Sequence, residues 1–168
     1  DVIRAHNTIV RNALAAHRGK EVKHTGDGIM ATFDDAIDAV RASIEIQEKA
    51  DEHTAKWPRL ALRLRIGMNS GEPIVEENDY FGATVQIAAR VCASAGIGQV
   101  WLGESTKELI PAFAELNLVA RGAQTLKGVT DPVELFEVVY NHTLPGQPLP
   151  ESGQGSADNF PEHETRTP

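Results

Sequence analysis

Residues 21–33 read Glu-Val-Lys-His-Thr-Gly-Asp-Gly-Ile-Met-Ala-Thr-Phe, two runs of strand character around a Gly-Asp-Gly tip. Asp-Gly between such runs is a strong hairpin signal, because glycine supplies the positive φ that a tight turn demands. The turn accounts for Gly28. It leaves open why a carboxylate, Asp27, sits at the tip with a lysine, Lys23, four residues before it. An aspartate there can serve the turn alone by capping nearby backbone N–H groups. It can also serve chemistry, since a hairpin tip projects clear of its sheet.

The chain around this hairpin has a regular order. Val2, Ile3, His6, Ile9, Val10, Ala13 and Leu14 recur at helical spacing, so residues 1–17 are expected to form a helix closed by Arg18-Gly19, with glycine in the usual C-terminal position. A chain that opens inside a helical pattern is expected to have lost something upstream. Asp34 is expected to cap a second helix over about 35–50, followed by a polar connection to Trp57-Pro58. Leu60, Leu62, Leu64 and Ile66 alternate with Ala61, Arg63 and Arg65, the period of a half-buried strand. Gly67 and Gly71 then permit a bulge or close backbone approach.

Residues 76–79 read as an acidic loop. A third helix is expected over about 83–94, with Val85, Ala88, Ala89 and Cys92 on one face and Ile87 and Val91 beside them. Gln99–Leu102 reads as a strand, Glu104–Ile110 as a short helix stopped by Pro111, and Leu116–Ala120 and Val133–Tyr140 as strands. Lys127-Gly128 lies in the connection between those last two. From Asn141 the periodicity ends in a Pro/Gly/Ser-rich stretch that cannot offset its ordering entropy, so 141–168 is expected to be a disordered tail or linker after a domain spanning 1–140.

Composition narrows the function. A net charge of −8 makes the chain a poor nonspecific nucleic-acid binder. No apolar run reaches the ~20 residues of a membrane span. One cysteine, Cys92, cannot form an internal disulfide, which fits a cytoplasmic setting. The six histidines lack metal-ligand spacing, and His24 is expected to face away from Lys23.

With one strand before residue 1, the order becomes β-α-β-β-α-β with additions. That is an α+β, ferredoxin-like (split β-α-β) antiparallel sheet with helices on one face and its first strand missing. Three segments, in order, resemble the class III nucleotidyl cyclases: 21–33, 64–71 (Leu-Arg-Ile-Gly-Met-Asn-Ser-Gly), and 79–90 (Asp-Tyr-Phe-Gly-Ala-Thr-Val-Gln-Ile-Ala-Ala-Arg) running on through Gly98-Gln99-Val100. The resemblance covers about 1–140.

It implies conversion of ATP or GTP to a 3′,5′-cyclic monophosphate and pyrophosphate at the interface of a head-to-tail homodimer. It also implies two divalent cations, Mg²⁺ or Mn²⁺, held by two aspartates. One corresponds to Asp27. The other belongs to a strand that would precede residue 1, and Asp1, in helical sequence, is no substitute for it.

Lys23 and Asp79 match the family's base-reading pair. A donor-only lysine and an acceptor-only aspartate complement adenine N1 and N6 and fit guanine badly. The resemblance therefore implies ATP as substrate. Arg90 matches a transition-state arginine, suited to bidentate phosphate contact. Gln86, one helical turn before it, stands where the family usually has the ribose-positioning asparagine. Lys127 resembles a lysine that reaches the terminal phosphates. Each has a plainer reading: a solvated strand lysine, a loop carboxylate, an exposed helix arginine, a loop lysine. Cys92 reads as core. The alternative to an adenylate cyclase is a catalytically degenerate module that binds nucleotide or a partner and regulates something else. Flanking regulatory domains fit either reading. A GGDEF-type diguanylate cyclase is excluded by the lack of that motif.

Overall fold

The computed structural model describes residues 2–26 and 28–140. Asp27 and the tail assigned to 141–168 lie outside the described residues. Helix α1, Val2–Ala16, ends in a Schellman turn, with the Gly19 N–H bonded to the Leu14 carbonyl at 2.8 Å. The left-handed residue is Arg18 (φ 58°), not Gly19 as its sequence position implied. Gly19 is needed for space instead: a β-carbon there would lie 2.6 Å from the Phe33 ring and 2.7 Å from Leu14.

Strands β1 (Lys20–Thr25) and β2 (Gly28–Thr32) form the expected antiparallel hairpin. Helix α2, Ala36–Lys56, is capped by Asp35 rather than Asp34; the Asp35 carboxylate accepts the Ile37 N–H at 2.9 Å. It also runs past the expected end at 50. Residues 51–56 contain no glycine or proline, and their polarity marks a solvated helix face; Pro58 is the actual stop.

The alternating segment 61–65 forms no strand, against the expectation from its period. Side chains of α2 hold much of its backbone, and the Gly98 N–H bonds the Leu64 carbonyl at 2.6 Å without starting a ladder. Thr54 Oγ1 accepts the Leu62 N–H at 3.0 Å and donates to the Leu62 carbonyl at 3.2 Å. Buried Gln47 donates to the carbonyls of Leu64 and Gln99 at 3.3 and 3.2 Å. The ladder starts only at β3, Ile66–Met68. Next come β4 (Ile74–Glu76), β5 (Asp79–Phe81), α3 (Ala83–Ser94), β6 (Val100–Gly103), α4 (Glu104–Glu108), β7 (Asn117–Gln124) and β8 (Val133–Val139). β7 outruns the expected Leu116–Ala120 because a bulge at Arg121, with Gly122 at φ 80°, lets pairing with β8 resume.

The main sheet has the order β3-β6-β8-β7. β3 and β6 are parallel, joined by the α3 crossover, and the other pairs are antiparallel. The α+β, ferredoxin-like class holds, as a mixed sheet. Helices cover both of its faces, not one. Val100, Leu102 and Val138 pack with Val40 of α2, while Trp101 and Leu135 pack with Val91 of α3. The period of two in β6 and β8 forces this division. Each such buried aliphatic side chain contributes roughly 1.5–3 kcal/mol. The β1–β2 hairpin forms its own ladder. Its Ile29 and Ala31 share a cluster with Val10, Leu14, Ile46, Leu64 and Ile66, so β2 and β3 join one core without backbone pairing between them.

Candidate active site

A bulge in β1 decides where Lys23 goes. Glu21 pairs with Ala31 and Lys23 with Met30, which leaves Val22 as the extra residue. The extra residue brings Glu21 and His24, three apart, to the same partner on α1. Arg11 donates to Glu21 at 2.7 and 3.0 Å and lies 2.9 Å from His24 Nε2. Lys23 meets β5 instead, with its ammonium 2.7 Å from both carboxylate oxygens of Asp79.

Asp79 is placed by a feature that the sequence pattern did not reveal. The acidic loop is the tip of a β4–β5 hairpin whose two turn residues, Glu77 and Asn78, have φ of 48° and 66°. Positive φ at both positions is the pattern of a type I′ turn. Only Asn78 hinted at it, as a residue that tolerates the left-handed region. The Lys23 ammonium, helped by the Tyr80 N–H at 2.7 Å, holds the Asp79 carboxyl below the usual carboxylate range. The two side chains remain 42% and 46% exposed, so solvent screens the pair.

β5 leads through Gly82, whose φ of 103° only glycine adopts readily, into α3. The buried stripe of α3 is centred on Ile87 and Val91, with Ala89 exposed, so it is rotated from the expected Val85–Cys92 face. That rotation leaves Gln86 and Arg90 exposed, one turn apart. Among the described residues the Arg90 guanidinium has no hydrogen-bond or ion-pair partner. Close approach of β3 fixes the helix: a β-carbon on Gly67 would lie 2.1 Å from the Cys92 nitrogen. Cys92, expected in the core, is half-buried; burial still pushes its thiol up, which does not suit a nucleophile.

Lys127 stands at the corner of a turn closed by the Val129 N–H on the Leu126 carbonyl at 3.0 Å, with Gly128 at φ 81° and Leu126 buried as the anchor. An open depression of about 370 Å³ separates this turn from α3. Gln86 lines one side, and Gly128, Thr130 and Asp131 line the other. Gln86 and the Lys127 turn therefore share a rim. Thr130 and Asp131 were not anticipated, since Asp-Pro in a loop signals only a turn. Arg90 does not line the depression, and Lys23 and Asp79 form a separate pair. Among the described residues, no three His, Cys, Asp or Glu side chains converge to hold a metal ion. These residues do not complete a cation site.

Residues 1–139 match the adenylate and guanylate cyclase catalytic domain, and the chain belongs to that family. It is 30% identical over 129 residues to the putative adenylate cyclase 3 of Rhizobium meliloti (strain 1021), covering 76% of this chain and 22% of that protein. It therefore spans about a fifth of that relative. Its fold is similar to an adenylate/guanylate cyclase/hydrolase from Silicibacter pomeroyi, with a TM-score of 0.73, 29% identity and 81% of each chain covered. The guanylyl cyclase Cya2 is similar too, with a TM-score of 0.69, 26% identity, and 82% of this chain and 78% of that one covered. Relatives of both kinds leave the purine to the site itself. No helix among the described residues is long and apolar enough to cross a membrane.

Proposed function

We propose that this domain is an adenylate cyclase acting at the interface of a head-to-tail homodimer. The ribose 3′-oxygen attacks the α-phosphorus of ATP and loses its proton to solvent. The bond from that phosphorus to the bridging oxygen breaks, and pyrophosphate leaves with the bond's electron pair. The observation that carries the reading is the Lys23–Asp79 contact at 2.7 Å. It presents a donor-only and an acceptor-only group side by side, matching adenine N1 and N6.

Gln86 would hold the ribose from the α3 rim, and its amide has one methylene more reach than the family's asparagine. Arg90 would take phosphate oxygens as charge builds on them, and Lys127 the terminal phosphates. The family brings two divalent cations, Mg²⁺ or Mn²⁺. Asp27 is the residue assigned to them here, and none of the residue roles above depends on them. Asp27 would come from one subunit, and Lys23, Asp79, Gln86, Arg90 and Lys127 from the other. Exposed Ile74, Val75 and Phe81 on the β4–β5 hairpin offer apolar surface for a partner to cover.

The test is cyclic AMP formation from ATP with Mn²⁺ by the full-length protein, with Asp27→Ala as control. Cyclic AMP that disappears in the control supports the reading; none from the wild type overturns it. Gln86 favours the second reading, a degenerate module, and ATP binding without turnover would assign it.

A further inference from the structure

We propose that Asn69 is a positioning residue that sets the first turn of α3, and with it Gln86 and Arg90, against the sheet. The inference rests on the catalytic reading of those two side chains. Asn69 follows β3 in the turn Asn69-Ser70-Gly71 and touches neither the Lys23–Asp79 pair nor the depression beside Gln86.

Both ends of its amide are engaged. Oδ1 accepts the Ser105 hydroxyl of α4 at 2.9 Å, and Nδ2 donates to the Thr84 carbonyl of α3 at 3.4 Å. The Ser105 oxygen in turn accepts the Ser70 N–H at 3.3 Å, and the Ser70 hydroxyl lies 2.9 Å from buried Thr106 Oγ1. One turn thus ties together the starts of two helices that the chain reaches at very different points.

The surroundings have no slack. A β-carbon on Gly103 would lie 2.8 Å from Asn69 Oδ1, and one on Gly71 would lie 2.6 Å from Thr84 Oγ1. Thr84 stands two residues before Gln86 and six before Arg90. Among the described residues, a second side-chain bond ties α3 to this part of the chain, Cys92 Sγ to the Arg65 carbonyl, at 3.5 Å and more than two turns further along. With the Asn69 amide gone, α3 keeps its packing through Ile87 and Val91 and its close contact at Cys92, and loses the polar tie that sets its first turn before Gln86. Lys23 lies on β1 and does not move with it.

The experiment compares Asn69→Ala, Asn69→Asp and Ser105→Ala in the full-length protein. Asn69→Asp keeps the acceptor for Ser105 and faces the Thr84 carbonyl with an oxygen instead of a donor. Expected for both Asn69 variants is faster amide hydrogen exchange over 84–90, together with a kcat lower by roughly tenfold to 100-fold. KM for ATP should stay within about twofold, because the base-reading pair is untouched. Ser105→Ala should give a smaller effect in the same direction. Unchanged exchange in Asn69→Asp overturns the proposal whether or not the protein is active. Faster exchange with unchanged kcat, or a loss that falls on KM, overturns the positioning role. If the wild type forms no cyclic nucleotide, the cyclase reading fails, and the exchange result alone still decides whether Asn69 sets α3.

Discussion

Replacing Gly67 by alanine tests the contact that fixes α3 to the sheet. The new β-carbon would sit 2.1 Å from the Cys92 nitrogen and 2.3 Å from its Cα. The first distance is about 1.3 Å short of the 3.4 Å at which ordinary contact begins. Overpacking by one carbon costs ~1–3 kcal/mol when side chains yield. Here the obstacle is helix backbone, so the upper end applies, about 3 kcal/mol. For a domain of this size that lowers Tm by about 10 °C. Gly26→Ala is the internal control. Gly26 has φ 69°, and a β-carbon there would meet nothing within 4 Å, so only the left-handed backbone resists, at ~1–2 kcal/mol. Thermal unfolding followed by circular dichroism should therefore rank Gly67→Ala well below Gly26→Ala. A Gly67→Ala protein melting within about 2 °C of wild type, or no lower than Gly26→Ala, refutes the argument. Folded Gly67→Ala should also lose roughly 100-fold in turnover, since Gln86 and Arg90 move with α3.

Lys23→Glu with Asp79→Cys should weaken ATP use and admit GTP, because donor and acceptor roles toward the purine are exchanged; an unchanged ATP/GTP ratio of kcat/KM refutes the base assignment. Arg90→Ala should lower kcat by roughly 100- to 1000-fold, the range for losing one preorganised donor, with Tm unchanged, since the side chain has no partner among the described residues; a kcat within threefold counts against it. Asp79 is held below the ordinary carboxylate value, so the Lys23–Asp79 pair is fully formed above that value and is lost as pH falls through the lowered one. A carboxyl-carbon NMR titration should give Asp79 a midpoint below that of free aspartate, and Lys23→Ala should raise it; a midpoint that ignores Lys23→Ala refutes the contact.

The parts of the fold legible in the sequence were those set by period and punctuation. The hairpin and the span of α3 followed from apolar spacing and glycines at the ends, although the left-handed glycine is Gly26 and Gly28, expected to serve the turn, opens β2 opposite Thr25. Several of the errors share one cause, which is that a local signal does not say what lies across from it. Leu60–Ile66 has the alternation of a strand, yet Thr54 and Gln47 of α2 bond Leu62 and Leu64, and the ladder begins only at Ile66. Arg18 takes the left-handed position because Gly19 is pressed against Phe33, a contact between residues fourteen apart. The pairing of Lys23 with Asp79 depends on the Val22 bulge and on the turn at Glu77-Asn78. Neither departure carries the Asn-Gly signature that would have revealed it.

Exposure is the feature of the site that most needs a physical account. Lys23 and Asp79 meet with ideal geometry and yet stand nearly half in solvent, and Gln86, Arg90 and Lys127 are all exposed. In that setting water screens charge and competes for every hydrogen bond, so none of these groups can discriminate a base or stabilise a developing charge strongly. The same residue types become effective only where water is excluded and the donors are held still. The fold supplies the second condition, through Gly67, Gly82 and the Asn69 turn, which fix α3 and the β4–β5 hairpin. It does not supply the first from the described residues. On the proposed dimer, closure would come from a second subunit, and the exposed Ile74, Val75 and Phe81 lie on the hairpin that carries Asp79. A second subunit docked there would bury apolar area and dry the polar pair in one step, and the proposed purine selectivity requires that drying.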